Sequence, residues 1–309
     1  MSPTHLYFST VQALPDGSAV VGGHLSVEGS SPTATLLLHL ADGKWRLAAK
    51  IPDVVNAMTL GNRSGEETLL GILGRSGFFA EASVSERRLV EEDSIPLRGY
   101  GYMEDVAFFG GNYYAGGADR QVFRRGANGW QRIDETIYKP SSALVPVPTD
   151  FILALDAGPV SLCAAGGSGF AARFERELWS QWEVPTNIDL NDVFHSSEGR
   201  VFICGGGGLL ASIHSDGSWQ QYSPGEFPDF IFWKMAEFQG RIYIAAGGAV
   251  FRIEDGELAK IDLPFSPQAE IYAISAAGGS LWATGDAFVY QLNDQGKWKR
   301  HECPANQET

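Results

Sequence analysis

The chain has 309 residues, 44% of them hydrophobic and 12% aromatic, and a formal charge of −14 from 23 Lys and Arg against 37 Asp and Glu. Phosphate backbones and anionic membranes are held largely by cationic side chains, so neither nucleic acid nor a membrane surface is expected as the partner. No run approaches 18 uninterrupted apolar residues, and Met1-Ser-Pro-Thr-His-Leu has neither the basic head nor the apolar middle of a secretory signal, so the expected compartment is the cytoplasm.

In chain order, apolar runs at 6–14, 18–21, 35–40 and 45–49 read as four short strands, with a polar surface insertion at 24–32. A second unit runs from Val54 to about Val90 and carries Glu67-Thr-Leu-Leu-Gly and Gly77-Phe-Phe-Ala, with no closing Trp. The charge run Glu91-Glu92-Asp93 after it reads as a solvated loop. A third unit spans 100–133. Prolines at 140, 146 and 148 mark an irregular connection before Phe151 resumes the pattern in a fourth, which closes at Trp179 or Trp182. Units at 189–222, 229–261 and 270–301 are regular.

The sixth unit is the clearest copy. Its runs at 242–245 and 249–253 are separated by Gly247-Gly248 and followed by Asp255-Gly256, the composition of strands joined by tight turns. Its turn glycine, Gly240, has counterparts at Gly17, Gly65, Gly111, Gly158, Gly199 and Gly279, spaced by 39 to 48 residues. A closing signature recurs as Asp42-Gly43-Lys44-Trp45, Asn128-Gly129-Trp130, Asp216-Gly217-Ser218-Trp219, Asp255-Gly256-Glu257-Leu258 and Gln295-Gly296-Lys297-Trp298. Here Gly supplies the positive φ of a hairpin turn, and the Trp or Leu opens the last strand. Trp45, Trp130, Trp219 and Trp298 are therefore expected to be structural and largely buried between units. A four-stranded unit of this length cannot bury both faces alone and must stack on similar neighbours. The expected fold is an all-β, seven-bladed propeller forming one domain over 1–309, with blades at approximately 5–50, 51–96, 97–140, 141–186, 187–227, 228–266 and 267–303. The first blade either closes the ring by packing alone or lends residues 6–8 as an edge strand.

Gly-Ala-Val-Phe-Arg-Ile-Glu-Asp-Gly at 248–256, Gln121-Val-Phe-Arg-Arg and the Asp-Gly-x-Trp endings resemble bacterial seven-bladed propellers of the photosystem-assembly-factor and Asp-box type. The resemblance spans nearly the whole chain and implies the architecture without a function. Ser215-Asp216-Gly217-Ser218-Trp219 is too compact for a true Asp-box, which argues against a sialidase-like activity.

No catalytic set emerges. His5, His24, His39, His195, His214 and His301 have no metal-ligand spacing, and Cys163, Cys204 and Cys303 are odd in number and lack a C-x-x-C pair. No metal or cofactor is expected, and Cys163 and Cys204, each inside a strand-like run, read as buried, inert thiols. Gly205 to Gly208 lack the following G-K-[ST] of a phosphate loop and read as a hairpin turn. His195 reads as a packed or channel-lining residue.

Counting seven residues back from each turn glycine selects Thr10, Met58, Glu104, Phe151, Asp192, Trp233 and Tyr272, expected at matched heights near the starts of the first strands. Around them fall Tyr100, Tyr102, Asp105, Asp189, Asp229 and Phe230. Aromatic anchors among carboxylates suit a face that binds a basic protein. The combination of architecture, acidity and compartment is similar to cytoplasmic immunity proteins that bacteria pair with secreted antibacterial toxins, including type VI secretion effectors. That resemblance implies a monomeric inhibitor of a basic toxin, a nuclease in particular. The alternative is a propeller enzyme or carbohydrate-binding protein, glycosidase- or lyase-like, acting in the central channel.

Overall fold

The computed structural model describes residues 5–25, 31–62, 67–97, 101–141, 150–214, 218–222, 226–265, 270–286 and 288–306. Among them lie seven four-stranded sheets, each with its strands in chain order, so the protein is an all-β, seven-bladed propeller. The first blade holds β1 (Leu6–Ala13), β2 (Ala19–Leu25), β3 (Thr35–Ala41) and β4 (Lys44–Ile51). The second holds β5 (Val55–Gly61), β6 (Leu69–Gly74), β7 (Phe78–Ser83) and β8 (Arg88–Ser94). The third is β9 (Met103–Phe109), β10 (Asn112–Gly117), β11 (Val122–Gly126) and β12 (Gly129–Arg132), and the fourth β13 (Ile152–Ala157), β14 (Leu162–Gly166), β15 (Phe170–Glu175) and β16 (Leu178–Gln181). The fifth is β17 (Leu190–His195), β18 (Val201–Gly205), β19 (Leu210–Ile213) and β20 (Trp219–Gln221). The sixth is β21 (Phe232–Phe238), β22 (Arg241–Ala246), β23 (Ala249–Glu254) and β24 (Glu257–Ile261), and the seventh β25 (Ala273–Ala277), β26 (Ser280–Gly285), β27 (Phe288–Asn293) and β28 (Trp298–Glu302). The chain groups into two compact units, Met1–Val55 with Trp233–Thr309, and Asn56–Phe232.

The hairpins follow from local sequence. Asp42-Gly43, Gln239-Gly240 and Asp255-Gly256 place both central residues at positive φ, the geometry whose twist matches two-residue hairpins. Gly65 and Asp216-Gly217 lie outside the described residues. Two tight turns carry no glycine at all: Asp119-Arg120 and Arg176-Glu177 adopt positive φ throughout, so their sequences give no hint of a turn.

Blades within a unit are joined by two repeated devices. The first is a backbone clasp from the turn after a blade's second strand to the start of the next blade. In the larger unit it comprises Met103 N to Arg75 O at 2.9 Å, Gly169 N to Ile188 O at 2.8 Å and Gly208 N to Phe230 O at 2.7 Å. In the smaller unit, Phe8 N donates to Asp286 O at 2.6 Å. The second device is a polar side chain on one first strand that bonds the next first strand's backbone. Asn56 Nδ2 donates to Met103 O, Asp105 Oδ2 accepts from Leu155 N, and Asn191 Nδ2 donates to Phe232 O.

Between these polar stitches the core is a series of apolar layers, each shared by two adjacent blades. In the smaller unit one such layer joins β1 and β2 to Ala273, Trp282 and Val289 of the last blade. There the Asn306 side chain accepts from Leu6 N at 2.9 Å and donates to Leu6 O at 3.0 Å. β1 keeps its place beside β2, so the packing alternative for joining first and last blades holds and no edge strand is exchanged.

Two expectations need correcting. Trp45, Trp130, Trp219 and Trp298 are only half-buried, because the fourth strands they open have one face toward solvent; each lies against a core layer without being enclosed by it. Trp179, in β16, is the buried one, at 6% exposure. Glu91-Glu92-Asp93 is no loop: it lies in β8, where Glu91 and Asp93 reach the buried Arg125 at 2.6 and 3.3 Å and Glu81 meets the same guanidinium at 3.1 Å. This cluster joins the second and third blades beside the Phe79–Trp130 contact, and it holds a last strand that carries no tryptophan of its own.

Replacing Arg125 with Met leaves Glu81 buried without its cation, and should cost about 3 to 5 kcal/mol in urea unfolding. A second expectation concerns acid. Burial, with a smaller contribution from Lys299, pushes His301 from 6.5 down to about 4. The unfolded imidazole takes its proton near pH 6.5 and the folded one only near 4, so stability is full above pH 6.5 and falls as pH drops toward 4. The loss from this group is on the order of 2 to 3 kcal/mol, and His301→Gln should flatten that part of the pH profile.

Candidate functional site

Within each unit, the sequence-selected residues lie toward the beginnings of the first strands, the end at which the clasps are made. Three first strands in the larger unit carry a β-bulge there: the register skips Glu104, Leu153 and Asn191. In the smaller unit β1 skips Ser9. A bulge re-aims its extra side chain, so these positions are the structurally matched ones. Turn glycines misalign them because the turns after the first strands differ in length: two residues at Gly110-Gly111, four at 158–161 and five at 196–200. Asp192 is thus one residue beyond the bulge and Phe151 two before it. The better ruler is the glycine ending each second strand. A Cβ on Gly117, Gly166 or Gly205 would lie 2.0, 1.8 or 2.1 Å from the carbonyl oxygen of Tyr102, Phe151 or Asp189.

In the larger unit, Tyr102 is 45% exposed and lies under the Arg75 guanidinium, 3.7 Å from its ring centroid. Glu104 is half-buried and accepts from Asn56 Nδ2 at 3.1 Å. Asp189 is exposed, and its Oδ1 accepts from Ser168 N at 2.8 Å. Asp229 is exposed and Phe230 half-buried, with Phe230 edge-on to Phe227 at 6.3 Å. Tyr100 falls outside the described residues. Asp105 and Asp192 are 7% and 5% exposed. Asp105 has both oxygens on backbone amides, of Val106 at 2.9 Å and Leu155 at 3.1 Å, which makes it a stitching residue.

The sequence reading overlooked the exposed aliphatic side chains Ile188 (37%) and Ile231 (44%), which flank Asp189 and Phe230. Between them sits the tight turn Gly206–Gly208. Its glycines are packing requirements, since a Cβ on Gly208 would stand 2.2 Å from Phe227 O and one on Gly206 would touch Ile188. This brings Ile188, Asp189, Phe227, Asp229, Phe230 and Ile231 onto one glycine platform. The available signal was the Gly205–Gly208 run itself, which only such close approach requires.

In the smaller unit, Trp233 and Tyr272 meet edge to face at 5.9 Å. Tyr272 donates its hydroxyl to Glu270, and burial together with that bond raises its pKa. Burial and the neighbouring Glu270 also raise Asp286. Trp233 and Tyr272 thus stand beside two carboxylates that repel each other and would gain from a cation.

At the opposite end of the larger unit's first strands, Asp156, His195 and Cys163 converge. His195 Nδ1 lies 3.0 Å from Asp156 Oδ2, and Nε2 lies 3.5 Å from Cys163 Sγ. Sequence distance hid this arrangement. Its chemistry is structural: the His195 amide also donates to Asp156, the ring covers Gly158, and burial with the nearby Asp156 charge pushes the fully enclosed Cys163 thiol up to about 12. A neutral thiol without access is no nucleophile at neutral pH. Among the described residues no group of three or more His, Cys, Asp or Glu is placed to hold a metal, and no helix is long and apolar enough to cross a membrane.

No family model matches the chain. It is 27% identical over 264 residues to the immune protein Tsi7 of Pseudomonas aeruginosa, covering 84% of each protein. Among solved structures, the WD40 repeats of RRP9 superpose with a TM-score of 0.67 at 15% identity, covering 91% of this chain and 88% of that one. Virginiamycin B lyase from Staphylococcus aureus superposes with a TM-score of 0.64 at 13% identity, covering 81% and 84%. These two share the fold alone.

Two outcomes check the division between stitching and surface residues. Asp105→Ala strands two buried amides and should lower stability by about 2 to 4 kcal/mol in urea titrations. Cys163 should resist a thiol reagent in the native protein and react only after denaturation.

Proposed function

We propose that the protein is an immunity protein: it binds a cognate toxin made by the same bacterium and blocks it, and the toxin is a basic protein, a nuclease effector of a secretion system. The observation that carries this reading is that, in each unit, the residues at the first-strand starts set aromatic and aliphatic side chains beside solvent-accessible carboxylates. The likeness to Tsi7 over 84% of both chains supports it.

The binding residues are Tyr102, Glu104, Asp189, Asp229 and Phe230 in the larger unit, with Ile188 and Ile231, and Trp233 and Tyr272 in the smaller. A nuclease needs cations around its phosphate-binding cleft, and this surface offers carboxylates to draw those cations and apolar side chains to desolvate the contact. Blocking that cleft requires no chemistry from the inhibitor. The site of action is the cytoplasm, where a nuclease would meet DNA.

Affinity purification from the native cell followed by surface plasmon resonance tests the reading. Asp189→Lys with Asp229→Lys should slow association by about tenfold at low salt, and added salt should slow the wild type. Tyr102→Ala or Trp233→Ala should chiefly speed dissociation, each losing about 2 kcal/mol if it is a central anchor. An acidic partner, or an association rate indifferent to salt and to both charge reversals, contradicts the proposal.

A further inference from the structure

The strongest departure from the chain's overall acidity lies on the fourth strands of the first and last blades, within the smaller unit. β4 carries Lys44, Arg46 and Lys50 and no carboxylate. β28 and its preceding turn carry Lys297, Lys299 and Arg300. Lys44, Arg46, Lys50, Lys297 and Lys299 are exposed, and none pairs with a carboxylate among the described residues. A cleft of about 740 Å³ opens among these strands. Trp45, Trp298 and Phe265 form its apolar wall, and Lys299 and Arg300 line it as well.

The wall is firm. Trp45 stacks on the buried Phe8 ring at 5.5 Å and 11° between planes, and Trp298 rests on the core layer that contains Tyr290 and Leu292. The cations do not converge on a compact anion: Arg300 is held by Glu302 at 2.5 Å, and His301 turns to Gln291 at 3.1 Å. They are instead spread along two strands. Among the described residues β4 pairs only with β3 and β28 only with β27, so each leaves one backbone edge without a strand partner there. A spread of positive charge, an aromatic cleft and open strand edges suit an extended chain of opposite charge.

We propose that this cleft is a second docking site, and that its occupant is an acidic, extended segment of a protein partner. Its carboxylates face Lys44, Arg46 and Lys299, an apolar side chain enters between Trp45 and Trp298, and its backbone runs along a free strand edge. The site shares no residue with the proposed toxin-binding surface and prefers the opposite charge, so the two readings fail separately.

The test uses the full-length protein and a fluorescein-labelled peptide of alternating Glu and Val, with a Lys and Val peptide as control, in fluorescence anisotropy. The Glu peptide should bind and quench tryptophan emission, and Lys44→Glu with Lys299→Glu should weaken it by about tenfold or more without changing the melting temperature. Asp189→Lys with Asp229→Lys should leave that binding in place. The proposal is overturned by any of three results: no binding of the Glu peptide, equal binding of the Lys peptide, or indifference to the Lys44 and Lys299 reversals. Inorganic phosphate or phosphatidylserine vesicles that compete at full strength, with the same sensitivity to those reversals, would also overturn it by making the site one for simple anions or membranes.

Discussion

A four-stranded blade has two apolar faces and can cover neither alone, so every other feature of this protein depends on how one blade is attached to the next. The attachment is partly hydrophobic, in layers shared by neighbours, and partly polar. The polar part is directional: a second-strand turn clasps the next blade's start, and Asn56, Asp105 and Asn191 reach forward to the following first strand. Apolar layers tolerate sliding, whereas a hydrogen bond to a buried amide does not, so these few side chains set the relative height of adjacent blades. A clasp also demands that two backbones come close, and that is why Gly169 and Gly208 stand in the clasping turns, where a Cβ would lie 1.9 Å from Thr186 O and 2.2 Å from Phe227 O.

The same constraint creates the surface. Holding each first strand against its neighbour's turn produces the bulges at Glu104, Leu153 and Asn191, which turn side chains away from the regular ladder. It also raises the loops at 186–189 and 226–231 over the Gly206–Gly208 turn, exposing Ile188, Asp189 and Ile231. On the proposed reading, function on this scaffold is a matter of what those loops display. Asp156, His195 and Cys163 illustrate the converse: three groups in suggestive geometry whose thiol the packing has sealed and holds protonated.

Much of the architecture was legible because it repeats. The turn glycines, the Asp-Gly hairpins and the alternation of short apolar runs each state the same unit, and Asp42-Gly43 and Asp255-Gly256 take the backbone conformation their composition implies. What escaped was local chemistry that substitutes for the repeat. The second blade has no closing tryptophan and Arg125 holds its last strand through Glu91 and Asp93, and an ion cluster inside a strand reads, residue by residue, as a solvated run. The candidate surface was legible in its residue types and not in its register. Turns of two, four and five residues defeated a count from turn glycines, so Asp105 and Asp192 were grouped with exposed acids although both are buried. Ile188 and Ile231 escaped because isolated aliphatic residues in loops carry no sequence signal of exposure.

The central claim is that the loops at the first-strand starts, rather than the turns at the other end of those strands, form the toxin-binding face. Hydrogen–deuterium exchange of the protein alone and with its co-purified partner measures this directly. The account predicts slowed exchange in 101–104, 186–191 and 226–233 on complex formation, with the turns at 110–111, 158–161 and 196–200 unchanged. Protection of those turns with none at the first-strand starts would contradict it.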